Sequence, residues 1–310
     1  MKVCEICGAR FRGEPSACPL DGGTLYDAIE PLVGRRLADR YELGEKIAAG
    51  ATGPIYRADA LGRSVAVKLL LPDLAADPVA RRRFLDGARI ASGIEHPHVV
   101  DVRDFGSTDD GLVFLVMELV DGRPLSAAIG PTGMPVRRAL WIALQTAQGL
   151  ACVHELDAVH GAIDSEHVML LNGHETDFAK ILGAGLPSRL SYRPSRNAIM
   201  VLAPPEYLAP EVVRGGTPTP STDLYALGCI LFEMSTGRIP FEGGTVELMA
   251  KQVNEPPPRP SEHARGVPPA VDSLVLRLLA KNAEDRPETA RAVIEEVAEI
   301  LATLGDAHAR

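Results

Sequence analysis

Cys4, Cys7, Cys18 and Asp21 form the stretch of this chain whose spacing reads most directly as metal chemistry. Two short turns each offer a pair of donors three residues apart, which can close tetrahedrally on Zn²⁺ with Asp21 as an oxygen ligand in fourth place. So short a segment buries too little apolar surface to fold alone, which is itself a reason for metal. The same residues also fit a segment that has given up the metal along with its fourth cysteine, and a disulfide is disfavoured in a reducing compartment. Cys152 and Cys229 lie far away inside apolar helical patterns and read as packing residues.

A second set of chemistry-bearing residues is spread over the chain. Ala48, Gly50 and Gly53 sit in a small-residue loop, Ile47-Ala48-Ala49-Gly50-Ala51-Thr52-Gly53-Pro54-Ile55-Tyr56, and twelve residues past Tyr56 comes Lys68 at the end of Val65-Ala66-Val67-Lys68. A glycine-rich turn that cradles phosphates, followed by a strand lysine that neutralises them, is the chemistry of nucleotide binding. Further on, His160-Gly161-Ala162-Ile163-Asp164-Ser165-Glu166-His167 runs into the apolar strand Val168-Met169-Leu170.

Together these stretches resemble the bacterial Ser/Thr protein kinases over residues 41–304. In that family the loop reads His-Arg-Asp with an Asn five residues after the Asp. The resemblance therefore puts Gly161 at the Arg, Ala162 at the catalytic Asp, Asp164 at the usual Lys and His167 at the Mg²⁺-binding Asn. Val113 to Gly122 matches the hinge between lobes, with Met117, Glu118 and Leu119 along the adenine edge. Ile55, Ala66 and Met169 match the apolar slabs that sandwich the base. Leu74 to Gly93 reads as the helix that carries the Glu partner of Lys68, and counting back from His96-Pro97-His98 places Gly87 there. Asp86 is adjacent but points about 100° away.

The metal-binding segment offers two registers. Asp177-Phe178-Ala179 looks like a damaged Asp-Phe-Gly, but the better match is Ala179-Lys180-Ile181-Leu182-Gly183-Ala184-Gly185, with Gly183 at the metal-binding Asp and Ala184 at the Phe. An apolar stack through Val102, Ala91, Ala184 and His160 is then thinned by two alanines. The C-terminal stretches keep the family pattern: Ala203 to Glu211 closes the activation segment, Ser221 to Met234 is hydrophobic almost all round as a central helix must be, and Asp285-Arg286-Pro287 supplies the partner for Glu211.

Those elements imply an α+β, bilobal kinase-like fold with a small β-rich N-lobe (41–120) and a large helical C-lobe (121–304). A linker (28–40) and a zinc-ribbon-like segment (1–27) precede it. A net charge of −9 and a pI near 5.4 argue against nucleic acid or anionic membrane as the main partner. No run of about 18 apolar residues occurs, and the start lacks the apolar core of a secretion signal, so a cytoplasmic location is expected. With Gly87, Ala162, Asp164, His167 and Gly183 where reactive groups stand, the resemblance implies a non-enzyme: a regulatory or scaffolding pseudokinase that binds an unknown protein partner, an active kinase or its substrate. ATP binding is expected to be weak and independent of Mg²⁺, since the adenine end is kept and Asp164 would repel a triphosphate. Two alternatives stand beside it: an unconventional kinase using Lys68 with Asp164 or Asp177 as a displaced carboxylate, and a zinc-ribbon binding protein with the kinase fold as carrier.

Overall fold

The computed structural model describes residues 2–4, 10–11, 17–20, 22–23, 25–27, 32–50, 52–186 and 204–306. At the start, β1 (Lys2–Cys4), β2 (Arg10–Phe11) and β3 (Leu25–Asp27) form an antiparallel sheet in the order β2-β1-β3. Of the expected zinc ligands, Cys7, Asp21 and the side chain of Cys4 lie outside the described residues. Cys18 is buried in a turn closed by the Gly22 amide donating to its carbonyl at 2.9 Å, and the Leu20 amide donates to its Sγ at 3.4 Å.

The small lobe is one antiparallel sheet wrapped by a helix. Strands β4 (Arg36–Leu37), β5 (Tyr41–Gly50), β6 (Gly53–Ala60) and β7 (Ser64–Leu69) precede α1 (Pro72–Ala76) and α2 (Pro78–Ala91), and β8 (Val102–Ser107) and β9 (Val113–Glu118) complete the order β4-β5-β6-β7-β9-β8. Alternate residues divide between the two faces, as a strand period of two requires: Leu43, Tyr56, Val67 and Phe114 pack on one side, while Leu115 and Val102 meet Phe84, Ala88 and Ala91 of α2 on the other. The stretch read as linker, 28–40, ends inside this sheet, with Leu37 fully buried opposite Tyr41. The single helix expected over 74–93 is two helices. Pro78 restricts Asp77 to an extended backbone, which stops α1. The Asp77 carboxylate then accepts from the Val79 and Ala80 amides at 2.8 and 3.3 Å and starts α2.

The large lobe is helical with a small sheet at its upper edge. β10 (Gly122–Pro124), α3 (Val136–Glu155), β11 (Val168–Leu171) and β12 (Ala179–Ile181) come first, the three strands pairing antiparallel in that order. Then come α4 (Pro210–Val213), α5 (Pro220–Thr236), α6 (Thr245–Asn254), α7 (Pro260–His263), α8 (Pro269–Leu278) and α9 (Ala290–Asp306). Helix α5 is the core: between Thr222 and Thr236 only Glu233 is not buried. Gly228 lets α8 approach, since a Cβ there would lie 2.7 Å from that of Leu278. No helix among the described residues is long and apolar enough to cross a membrane.

Glu211 and Arg286 meet as expected, in two parallel bonds of 2.9 Å, with Arg286 wholly buried and its guanidinium over the Tyr225 ring. Burial alone would raise the Glu211 carboxyl, but hydrogen bonds from Arg286 outweigh it and hold the group below its ordinary value. Its contribution is therefore present at neutral pH and is lost as pH falls through that lowered value. Arg286→Met, which strands a half-buried carboxylate, should lower the unfolding free energy by about 1–3 kcal/mol. Urea unfolding measures it, and a loss below about 1 kcal/mol would show that the pair is a surface-like contact.

Candidate functional site

The cleft between the lobes is lined first by the sheet. Strand register sets Ile55 beside Lys68 and Ala66 beside Met117. Ala66, Val100 and Met117 form a buried apolar cluster, against which Ile55, Leu119, Val120 and Leu182 pack. Met169 lies half-buried on β11, opposite Lys180. Ile55, Ala66, Met117 and Leu119 thus share one apolar slot with Val100 and Leu182, and Met169 stands outside that cluster. Glu118 does more than mark its edge: its carboxylate forms an ion pair with Lys180 and accepts from the Asp101 amide at 3.3 Å, joining hinge to large-lobe sheet. The loop carrying Ala48 and Gly50 returns through Gly53, whose φ of +145° and virtual Cβ only 1.9 Å from the Leu69 carbonyl admit no side chain.

Lys68 is partly buried on β7 with no carboxylate within 4 Å among the described residues, and burial pushes its ammonium down to about 8. Gly87 is buried in α2 and supplies no carboxylate, and the neighbouring Asp86 is turned outward to Arg82 and Arg89 at 3.6 and 3.4 Å. A cation left without a counterion in a partly dehydrated place favours a bound anion.

The loop at 160–167 is hung on Asp223. That carboxylate, 1% exposed, accepts from the backbone amides of His160 and Gly161 at 2.9 and 2.7 Å and binds His154 Nε2 at 2.8 Å. His160 in turn reaches the Leu182 carbonyl through Nε2 at 2.7 Å, so Nε2 carries the hydrogen and Nδ1 is bare. Burial, with His167 close by, drives its imidazole down to about 4, and the buried Nδ1 has no partner among the described residues.

Asp164 corrects one expectation. Its carboxylate does not face the cleft to repel phosphate; it is 2% exposed and accepts from the amides of Glu166 and His167 at 2.9 Å each, and from His167 Nδ1 at 2.6 Å. Burial alone would raise this carboxyl, but the His167 ring and amide outweigh it and hold it low. His167 is thereby fixed in the tautomer with Nδ1–H toward Asp164. Its half-exposed ring stands edge-on to His160 and presents an Nε2 without a protein partner among the described residues. A sequence signal existed: a carboxylate followed three residues later by His is the spacing of a turn that folds back on itself.

Gly183 lies next to this pair, its virtual Cβ 4.0 Å from His167 Cδ2, and adopts φ +80°; Gly185 comes two residues later at φ +74° against Ala91. Any side chain at 183 would be strained there. Asp177, the carboxylate of the other register, is paired with Arg138 at 2.7 and 2.8 Å. A nitrogen and a bare glycine do not make the oxygen set that Mg²⁺ requires, and the described residues contain no group of three metal-binding side chains.

Comparison with known proteins places this arrangement. The model of the protein kinase domain matches residues 41–297. The chain belongs to the bacterial Ser/Thr protein kinase family. It is 35% identical over 263 residues to the Ser/Thr kinase PrkC of Bacillus subtilis, covering 84% of this chain and 40% of that protein. It is 33% identical over 304 residues to Pkn1 of Myxococcus xanthus, covering 91% and 43%. The chain thus spans less than half the length of these relatives. Among solved structures, the PknI kinase domain of Mycobacterium tuberculosis superposes with a TM-score of 0.69 at 25% identity, over 88% of this chain and 99% of that one. These findings correct the expectation of a non-enzyme: relatives sharing about a third of their residues with nearly all of the domain carry the name of Ser/Thr protein kinases.

Since Lys68 is charged only below about pH 8, ADP affinity should be flat below that value and fall above it, by up to about tenfold per unit. Lys68→Met should weaken binding at neutral pH and erase the dependence. Calorimetric titration between pH 6.5 and 9.5 (roughly the window of interest) checks it; equal affinity for Met and Lys at 68 would remove the lysine from the site.

Proposed function

We propose that the chain is an unconventional Ser/Thr protein kinase domain with slow, ATP-dependent phosphotransfer. The observation that carries this reading is the buried Asp164 holding His167 through Nδ1, which leaves Nε2 open at the place where the family's metal ligand stands. The apolar slot takes adenine and Lys68 takes phosphate oxygens. His167 Nε2 accepts the proton of a Ser or Thr hydroxyl as its oxygen attacks the γ-phosphorus. The bond from that phosphorus to the β–γ bridging oxygen breaks, ADP leaves, and the proton passes from His167 to water. Asp164 stabilises the imidazolium formed in between. With no oxygen set suited to Mg²⁺ among the described residues, charge on the departing ADP is met mainly by Lys68, so turnover is low.

A regulatory or scaffolding contact with a protein partner, an active kinase or its substrate, is the second reading. It is favoured by the intact large lobe, where Asp223 and the Glu211–Arg286 pair keep the outer surface of the fold in place.

Transfer of labelled γ-phosphate to a generic Ser/Thr-containing protein, in Mg²⁺ or Mn²⁺, should show slow incorporation that His167→Ala lowers by about 10²-fold or more. Asp164→Asn should lower it as well, and Lys68→Met should abolish it. No incorporation by the unmodified chain sinks the kinase reading, while incorporation indifferent to His167→Ala sinks the proton route alone.

For residues 1–27 we propose a Zn²⁺-holding ribbon, supported by Cys18 buried at a turn with an amide aimed at its sulfur, as a thiolate favours. Elemental measurement on untagged protein should find about one Zn²⁺ per chain, reduced by Cys18→Ser. A metal-free chain would remove the ribbon, and an unchanged content in Asp21→Ala would move the fourth ligand elsewhere.

A further inference from the structure

A second concave site lies in the large lobe and shares no residue with the nucleotide slot. It is a cavity of about 1050 Å³ between the start of α3, the end of α5, the α7–α8 connection and the last turn of α9. Its walls are built before any ligand arrives. The Met134 amide donates to the Met234 carbonyl at 2.8 Å, clamping the turn that precedes α3 onto the end of α5. Two glycines make that contact: a Cβ on Gly133 (φ +77°) would come within 2.7 Å of the Ser235 backbone, and one on Gly237 (φ +73°) within 2.6 Å of the Gly130 carbonyl.

Chemistry divides the lining in two. Met134 and Val267 are buried, Val136 and Leu304 are half-buried, and together they give the interior an apolar surface. Arg137, Arg238, His263 and Arg265 stand exposed around it. The lining contains no Asp or Glu, in a chain whose net charge is −9. None of the three guanidiniums has a carboxylate within 4 Å among the described residues; Arg137 touches only the Leu301 carbonyl, at 3.3 Å. Elsewhere the chain pairs its arginines freely, as in Arg138–Asp177, Arg286–Glu211 and Arg291–Glu155. Ser235, on the same wall, buries a hydroxyl that has no partner among the described residues.

We infer that this cavity binds a small amphiphilic anion, with a carboxylate or phosphate head held by Arg238 and Arg265 and an apolar body lying on Met134, Val136, Val267 and Leu304. Volume and lining suit a small molecule: such sites are mostly apolar, hold a few placed polar groups, and span roughly 300–1,000 Å³. Guanidinium is the group that matches a carboxylate or phosphate in fork geometry. Positively charged rims also raise the local concentration of anions, which a chain this acidic would otherwise repel. The cavity lining shares no residue with the nucleotide slot or with residues 1–27.

The probes are decanoate and decyl phosphate, titrated calorimetrically into the full chain below their micelle concentrations. Decyltrimethylammonium, of like chain length and opposite charge, and inorganic phosphate, a head without a body, serve as controls. One molecule of decanoate or decyl phosphate should bind per chain, and whichever binds more tightly names the head group. Arg238→Gln with Arg265→Gln, both exposed, should weaken binding at least tenfold with unchanged thermal unfolding. Val136→Trp should weaken it separately by filling the apolar wall. Equal binding of decyltrimethylammonium would reduce the cavity to a greasy groove and overturn the inference. So would binding of inorganic phosphate as tight as decyl phosphate, affinity unaffected by either variant, or no binding of either anion at about 1 mM. An acidic peptide that binds where both amphiphiles fail would assign the face to a protein partner instead and overturn it too.

Discussion

One buried carboxylate organises the molecule. Asp223 sits in the first turn of the central helix α5, 1% exposed, and directs its oxygens to His154 and to two amides of the loop that frames the cleft. Removing such a charge from water costs several kcal/mol unless donors replace the lost hydration. Here the donors are the loop itself. The backbone at 160–161 is therefore fixed to the core by the same contacts that make Asp223 tolerable, and everything downstream inherits that position. His160 reaches across to the Leu182 carbonyl, Leu182 leads into Gly183, and His167 closes the loop against His160.

Much of this frame was legible in the residues, because it is carried by local signals. The all-round hydrophobicity from Ser221 to Met234 announced a central helix, and the pairing of Glu211 with Arg286 came from recognisable stretches on either side of it. Lys68 at the end of an apolar run could be placed by spacing from the small-residue loop, and Met117 at a hinge by the family resemblance of Val113 to Gly122. The split of the expected helix at Asp77-Pro78 was also written in the chain, as a proline with a capping carboxylate before it, and the family resemblance, which supplies one helix there, passed over it.

The site chemistry was harder to read, because a missing side chain at a known position says nothing about what its neighbours do instead. The family resemblance alone puts Asp164 facing phosphate. Its actual direction is set by three N–H donors behind it, two of them backbone; the Asp-x-x-His spacing marks a turn without fixing which way the carboxylate faces. The Glu118–Lys180 bridge is similar: 62 residues separate partners whose meeting depends on how β9 and β12 are placed across the cleft. The cavity under the large lobe is further still from any linear signal, since its lining is drawn from four distant segments.

The glycines at 183 and 185 constrain substitution in their part of the cleft. Both use left-handed backbone, at φ +80° and +74°, and Gly185 rests directly on Ala91. A carboxylate placed at 183 would arrive on left-handed backbone, beside an imidazole whose other nitrogen is already committed to Asp164. A β-branched side chain at either position would have to turn the backbone out of this conformation and, at 185, push against Ala91. The corner of the cleft beside His167 is thus narrow in what it admits, and substitutions there are felt first through the backbone and only then through the chemistry of the new side chain.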